Sequence, residues 1–495
     1  MPCRAHERGL QSNAFKDSIN SLVARILLYP RVGCFYNGGM SNTSESTLSF
    51  FSNFPQAFAA LVSESCCLNI FAKHGPRGAG KPKLSPWQWL MARVYHAFAM
   101  TGSFSTHVKQ ITATRVSDSA LSQRGQSIGW ELFLEVLREV LQPLADPSRH
   151  ATAFYHGLRL LALDGTRLNL RNTPAMAKGA KKNRCSKGSG EPAFAQLLGV
   201  VLVELGLHQP LNAAVGWQGE GESTLARQLL AAKALPERCL LLGDRLFGSP
   251  WLMWTLLPLL DAVGGALLLR ARTDLKAKRL KPLADGSWLV EIRVVDPATK
   301  RKVGTILVRE ILADIRTEAD GRPLRLRLWT SLLDDAAHPA MELAELYAAR
   351  WEHELFYREI KSHLHRRHNL LDAQTPETAA QEVIAMLLAA AMLATQREAV
   401  AVAAKVEVLR ISFAQVHEQT VALCMLFELG HDLISLEQQA EWTRRALAQL
   451  AQTAIIQKRK PRSCQRALRQ PVKDWPKMKH PTSKQLVKLI AIANP

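Results

Sequence analysis

No two cysteines in this sequence are spaced as CxxC, although eight are present, and only Cys66 and Cys67 stand close together. That spacing excludes a zinc ribbon and a disulfide framework, and it fits a reducing compartment. No apolar run reaches the roughly 20 residues of a membrane span. The nearest, Val383 to Thr395, is short and alanine-rich and reads as a buried helix. No signal-peptide pattern opens the chain, and no internal repeat is visible. The expected setting is therefore cytoplasmic, with no membrane partner. Acidic residues are outnumbered, 43 to 63 basic ones, which leaves a net charge of +20 and a pI of about 9.8. Such an excess implies a polyanionic partner, most commonly nucleic acid. Because the charge is spread from end to end, a merely basic soluble protein is the other reading.

The 495 residues suggest two to four domains, and 47% hydrophobic residues predict a largely globular chain. Residues 1–50 are weakly patterned, and Met40 is an alternative start because well-patterned sequence begins soon after it. Residues 51–150 read as a helical domain, with apolar residues at helical spacing over Phe50–Leu68 and Pro86–Met100 around a Gly/Pro/Lys loop at Gly75–Lys83. Ser117 is a good N-cap and Asp118 suits a first turn. A short basic helix that starts this way resembles the second helix of a helix-turn-helix, with Ser119 and Arg124 as its DNA-binding candidates. An ordinary capped helix has the same pattern.

From about residue 155 the pattern becomes α/β. Leu158–Leu163 is an apolar run that ends at Asp164-Gly165-Thr166, and Phe194–Leu207 and Leu211–Trp217 are two further strand candidates. Glu222–Ala232 reads as a helix, Cys239–Gly243 as a strand ending at Asp244-Arg245, Pro250–Leu260 as a helix and Ala266–Arg270 as a fifth strand. Three strands, a helix, a strand, a helix and a strand is the order of a ribonuclease H-like core. The boundaries expected are 151–273 for its first part, 274–335 for a β-rich insertion and 336–400 for its second part. A C-terminal helical region with a basic tail fills 401–495. Strands are predicted in the insertion at Trp288–Val295, Val303–Ile315 and Leu324–Leu333, with turn signals at Asp285-Gly286 and Asp320-Gly321. Thr375-Pro376 is an N-cap followed by an N1 proline, opening a long alanine-rich helix to about Lys405. The polar loop Thr173–Glu191 and the tail from Lys458 are rich in lysine and arginine. Each can hold phosphates or simply be solvated.

The most informative stretch is Leu346–Lys361, which reads as one helix. Tyr347, Arg350, Glu354 and Lys361 occur there at offsets 0, 3, 7 and 14. At about 100° per residue they project at roughly 0°, 300°, 340° and 320°, within one narrow arc. On spacing alone, a solvated face laced with ion pairs is the ordinary reading. The spacing Tyr-x2-Arg-x3-Glu-x6-Lys, however, resembles the signature of the insertion sequence 4 family of DDE transposases. Asp164 and Asp244, each following an apolar strand, stand where that family carries its two aspartates.

The resemblance covers roughly residues 155–400, and more loosely the N-terminal helical region. It implies that Asp164, Asp244 and Glu354 are catalytic and hold two Mg²⁺ ions, for which Mn²⁺ can substitute. Tyr347, Arg350, Lys361 and Arg245 would then meet DNA. It implies a double-stranded DNA partner, as transposon ends and as target, and a homodimer that holds two ends together. It also implies hairpin closure at the ends and a bacterial, nucleoid-associated setting. Some relatives stack a flipped base on a tryptophan of the insertion. Trp329 and Trp288 are the candidates, although a core aromatic is the plainer reading of both. His363, His365 and His368 suit a polar helix end near DNA better than a zinc site. A non-catalytic repressor derived from a transposase, or a structure-selective nuclease on the same core, are the alternatives. The first would tolerate loss of a carboxylate, and the second would not need the insertion.

Overall fold

The computed structural model describes residues 54–74, 83–99, 101–179, 194–217, 220–316, 323–364, 370–430 and 432–457. The segment 1–50, most of the loops at 75–83 and 173–191, His365, His368 and the basic tail from Lys458 lie outside the described residues. Six helices come first: α1 (Phe54–Leu61), α2 (Glu64–His74), α3 (Pro86–Phe98), α4 (Phe104–Thr112), α5 (Asp118–Ser127) and α6 (Trp130–Val140). Then follow β1 (Phe154–Tyr155), β2 (Leu158–Asn169), α7 (Pro174–Gly179), β3 (Gln196–Glu204), β4 (Gln209–Gly216), α8 (Glu222–Ala232), β5 (Cys239–Gly243), α9 (Pro250–Asp261) and β6 (Ala266–Arg270). The insertion supplies β7 (Lys278–Pro282), β8 (Trp288–Val295), β9 (Lys302–Arg316) and β10 (Pro323–Thr330). The chain continues through α10 (Ala340–Leu346), α11 (Trp351–Glu359), α12 (Pro376–Ala404), α13 (Phe413–Leu429) and α14 (Leu436–Thr453).

One sheet runs through the molecule in the order β4-β3-β2-β5-β6-β10-β9-β8-β7, with β1 paired to β2. Its first five strands are the three antiparallel and two parallel strands of a ribonuclease H-like core, as the element order predicts. β2 and β5 pair in parallel from Arg159↔Cys239 to Leu163↔Gly243, and β5 pairs in parallel with β6. Buried on both faces, these central strands read as unbroken leucine runs. The strand period of two sorts their side chains. Leu161, Leu163, Leu241, Leu267 and Leu269 pack toward α8 and α9, while Leu160, Ala162, Leu240, Leu242 and Leu268 pack toward Leu343 and Tyr347.

The insertion does not stand apart. β10 pairs antiparallel with β6, so β7–β10 extend the core sheet. β7, Lys-Arg-Leu-Lys-Pro, is exposed along its whole length, a charged edge of the kind that blunts sheet-to-sheet association. Its lack of an apolar face is why the alternation that reveals β8 and β10 does not reveal it.

α12 is the one described helix long and apolar enough to cross a membrane, and 89% of its most apolar window is buried inside the fold. It packs against the N-terminal helices, β3, β4 and the Glu354 helix in a single apolar cluster. Thr375 caps it and Pro376 opens it, as predicted. At its start, Gln381 accepts from Trp89 Nε1 (3.0 Å) and donates to the carbonyls of Gly125 (2.8 Å) and Ile128 (2.9 Å), which docks α3 and α5 onto it.

Candidate active site

Asp164 does not end its strand, contrary to the expectation. Its backbone pairs with Val201 of β3, and β2 continues to Asn169↔Gln196. What ends at Leu163↔Gly243 is the pairing with β5. The sequence shows the apolar run stop there. It does not show that one edge of the strand still has a partner. Asp164 thus stands where the sheet opens between two parallel strands, the general place for ligands in open α/β sheets. Asp244 follows Gly243 directly, and its Oδ1 accepts from the Leu246 amide at 2.7 Å, which fixes the turn into α9.

Glu354 comes from a helical segment that is not one α-helix. α10 passes into a 3₁₀ turn at Tyr347–Arg350, then α11, then a π turn at Ile360–Leu364. Tight and wide turns of this sort often mark functional sites. Two phenols pin the segment to the strands that carry the aspartates. Tyr347 donates to the Gly243 carbonyl at 3.2 Å, and Tyr357 donates to the Asp164 carbonyl at 2.7 Å.

Arg350 closes the arrangement. One Nη lies 3.7 Å from Asp164 Oδ2 and the other 3.1 Å from Glu354 Oε1. All three side chains are largely covered, at 13% exposure for Arg350, 17% for Asp164 and 25% for Glu354. The solvated-face reading of this helix is therefore set aside for Arg350. Burial pushes the Asp164 carboxyl up to about 7, and the negative charges of Asp244 and Glu222 add to the rise against the Gly165 amide and Arg350.

Glu222 is the acid that sequence reasoning missed. It sits in the first turn of α8, and a Cβ on Gly165 would lie 2.6 Å from its Cγ and Cδ. Burial, then the charge of Asp244, raises its carboxyl. An acid opening the helix after the third core strand, directly behind Gly221, was the available signal.

The other predicted residues fall as follows. Tyr347 is buried with its hydroxyl turned inward, so the expectation that its phenol faces DNA is corrected. Arg245 is exposed beside Asp244, and Lys361 is half-buried on the π turn. Ser117 caps α5 as predicted, accepting from the Ala120 amide. Ser119 is exposed on that helix, while Arg124 is half-buried and donates to the Leu84 carbonyl at 3.3 Å. Arg124 is thus turned toward the protein. Trp329 is fully buried, with its Nε1 3.1 Å from Glu310 Oε2, and Trp288 is half-buried under Arg279. His363 lies beside Phe413 and His417.

Among the described residues no three His, Cys, Asp or Glu side chains already form a metal cage; Arg350 spans two of the candidate ligands. The donor chemistry nonetheless fits a hard divalent cation. Every candidate ligand is a carboxylate, and the buried Asp164 is crowded by two further negative charges, which such a cation would offset.

These acids gather where the two parallel strands of a ribonuclease H-like sheet part, and the chain is similar to known proteins over this region. Residues 155–392 match the family model described as "Transposase DDE domain". The transposase InsG for insertion sequence element IS4, from Escherichia coli strain K12, is 30% identical over 279 residues, which is 55% of this chain and 60% of that protein. The putative transposase InsZ of the same organism is 29% identical over 140 residues, 28% of this chain and 45% of that one. A cryo-EM structure of the piggyBac transposase synaptic complex with hairpin DNA aligns at a TM-score of 0.43 and 10% identity, covering 89% of this chain and 93% of that one. The matched region therefore spans about 60% of the length of the first of these relatives. Over residues 155–392 the chain is thus similar to DDE transposases, among them the transposase of insertion sequence element IS4.

Proposed function

We propose that this protein is the transposase of an insertion sequence. It binds terminal inverted repeats and catalyses divalent-metal-dependent DNA cleavage and strand transfer. The observation that supports this most is the meeting of Asp164 and Glu354 on Arg350, beside Asp244, at the point where β2 and β5 part. A repressor would need none of this buried acidic chemistry.

Asp164, Asp244 and Glu354 would hold Mg²⁺, or Mn²⁺ in its place. Held there, such ions would supply Lewis-acid activation of a water or 3′-hydroxyl and charge stabilisation for the leaving oxygen of a phosphodiester. Arg350 neutralises two of the acids in the free protein, and from the same position reaches a phosphate of bound DNA. Arg245 and Lys361 flank the acids and extend the cationic contact. Tyr347 and Tyr357 keep the Glu354 segment seated on the two aspartate strands. Ser119 and the other exposed residues of α5 would face the end sequence. Cut-and-paste chemistry acts on two ends at once, so a homodimer on double-stranded DNA is the expected assembly, in a bacterial cytoplasm at the nucleoid.

The test is a linear DNA that carries the element's own termini, incubated with purified protein and Mg²⁺ or Mn²⁺. Nicking or hairpin formation at the element boundary is expected. Sequence-specific binding without cleavage in either metal would return the protein to the repressor reading.

A further inference from the structure

His208 stands in the turn between β3 and β4 with a φ of +56°, and only 3% of it is exposed. Its Nδ1 lies 2.6 Å from Oε2 of Glu359 and its Nε2 lies 3.0 Å from Oε2 of Glu352. Both glutamates belong to α11, on either side of Glu354 in sequence. Glu359 is held from a third direction by Arg397 of α12, whose Nη1 is 3.3 Å from Oε1. Arg397 is itself anchored, donating through Nε to the Ile411 carbonyl at 2.7 Å.

The arrangement specifies a protonation state. A neutral imidazole has one N–H and can donate to one carboxylate only, whereas an imidazolium donates to two. Burial alone works against that charge, but Glu359 and Glu352 outweigh it, and the His208 pKa is raised.

Helical projection shows what the contact holds. Residues 352 and 359 are seven apart and share one face, while Glu354 projects roughly 140–160° away from them. Tyr357, on the side of Glu354, reaches Asp164, so α11 is gripped from both sides. α11 has nine residues and is bounded by a 3₁₀ turn and a π turn. A helix that short takes little stability from its own hydrogen bonds, and its position is set by what it packs against.

We propose that His208 is a positioning residue for the active site: as an imidazolium it bridges Glu352 and Glu359 and so fixes the height and rotation of Glu354 against the two aspartates. This rests on the assignment of Glu354 as a metal-holding carboxylate.

The test uses full-length protein and Mn²⁺ alone as the probe, followed by calorimetric titration, in wild type, Asp164→Asn, His208→Gln and Glu352→Gln. Wild type should bind Mn²⁺ and Asp164→Asn should not. His208→Gln keeps an amide donor but loses the second bridge, so its Mn²⁺ affinity should fall about tenfold or more, the usual scale for groups that orient metal ligands. Glu352→Gln should do the same, and the double variant should lose no more than the worse single one. In cleavage of terminal DNA the loss should lie in kcat, with KM for DNA unchanged. If His208→Gln fails to fold, Glu352→Gln decides, because Glu352 is 24% exposed and is held there by His208. Mn²⁺ affinity in the folded variants equal to wild type overturns the clamp. Wild-type Mn²⁺ binding that survives Asp164→Asn overturns the site assignment on which it rests.

Discussion

The Tyr357 hydroxyl donates to the main-chain carbonyl of Asp164 at 2.7 Å, joining the Glu354 segment to the strand that carries the first aspartate. Tyr347 makes the matching contact to Gly243, the residue before Asp244. Two acids from neighbouring strands and one from a helix are thus kept in register by side chain to backbone bonds, which loss of a cation or a change in charge does not break.

Tyr357→Phe removes only that hydroxyl. The Asp164 carbonyl then loses a buried donor, so stability should fall by about 1–3 kcal/mol in urea denaturation. Cleavage should slow while end binding stays level. Unchanged stability and unchanged cleavage together would show that the contact positions nothing.

Gly165→Ala places a Cβ 2.6 Å from Cγ and Cδ of Glu222. Glu222 must move, and the cost should be about 1–3 kcal/mol, the range for overpacking. In a Glu222→Ala background the same change should cost little. Equal cost in both backgrounds, measured by thermal or urea unfolding, would show that Glu222 does not lie over Gly165.

Much of this was legible in the sequence. The runs that precede Asp164 and Asp244 are apolar on both faces, so the central parallel strands, β5 and β6 among them, fall on the leucine runs. The Thr375 cap with Pro376 and the Ser117 cap are local chemistry and read directly. β7 was hidden because an exposed basic edge has no apolar period. The continuation of β2 past Asp164 depends on β3 alone, and no local pattern reports a partner on one side. Arg350 and Lys361 were visible by spacing. The spacing also put Tyr347 on the same face, but its inward turn depends on a carbonyl about one hundred residues away in the chain. His208, Glu352 and Glu359 looked like ordinary polar residues, since only tertiary structure brings them together.

Arg350→Ala removes the cation that touches both Asp164 and Glu354. Binding to pre-cleaved terminal DNA should weaken, and the log–log salt dependence should become shallower by about one unit at most. Arg350→Lys should recover part of the binding but not both carboxylate contacts, because an ammonium lacks the fork of a guanidinium. Identical affinity and slope in Arg350→Ala and wild type would exclude a phosphate contact.

The His208 bridge carries a sign in pH. A histidine whose folded pKa is raised contributes stability that is complete below its unfolded value of about 6.5 and is lost as pH climbs through the folded value. The charged groups facing it are Glu352, Glu359 and Arg397. Neighbouring His353, which burial lowers to about 4, is neutral across this range. The gap in Tm between wild type and His208→Gln should therefore narrow as pH rises from about 6. A gap that is constant or widens with pH would contradict a protonated bridge.

The most direct test of the whole account compares Asp164→Asn, Asp244→Asn and Glu354→Gln with wild type on one DNA carrying the element's termini. Binding is followed by gel shift and cleavage by Mg²⁺ addition. Each variant should bind the ends nearly as wild type does and should fail to cut them. Substantial Mg²⁺-dependent cleavage by any one of the three would remove that residue from the site, and cleavage by all three would contradict the assignment of the reaction to this cleft.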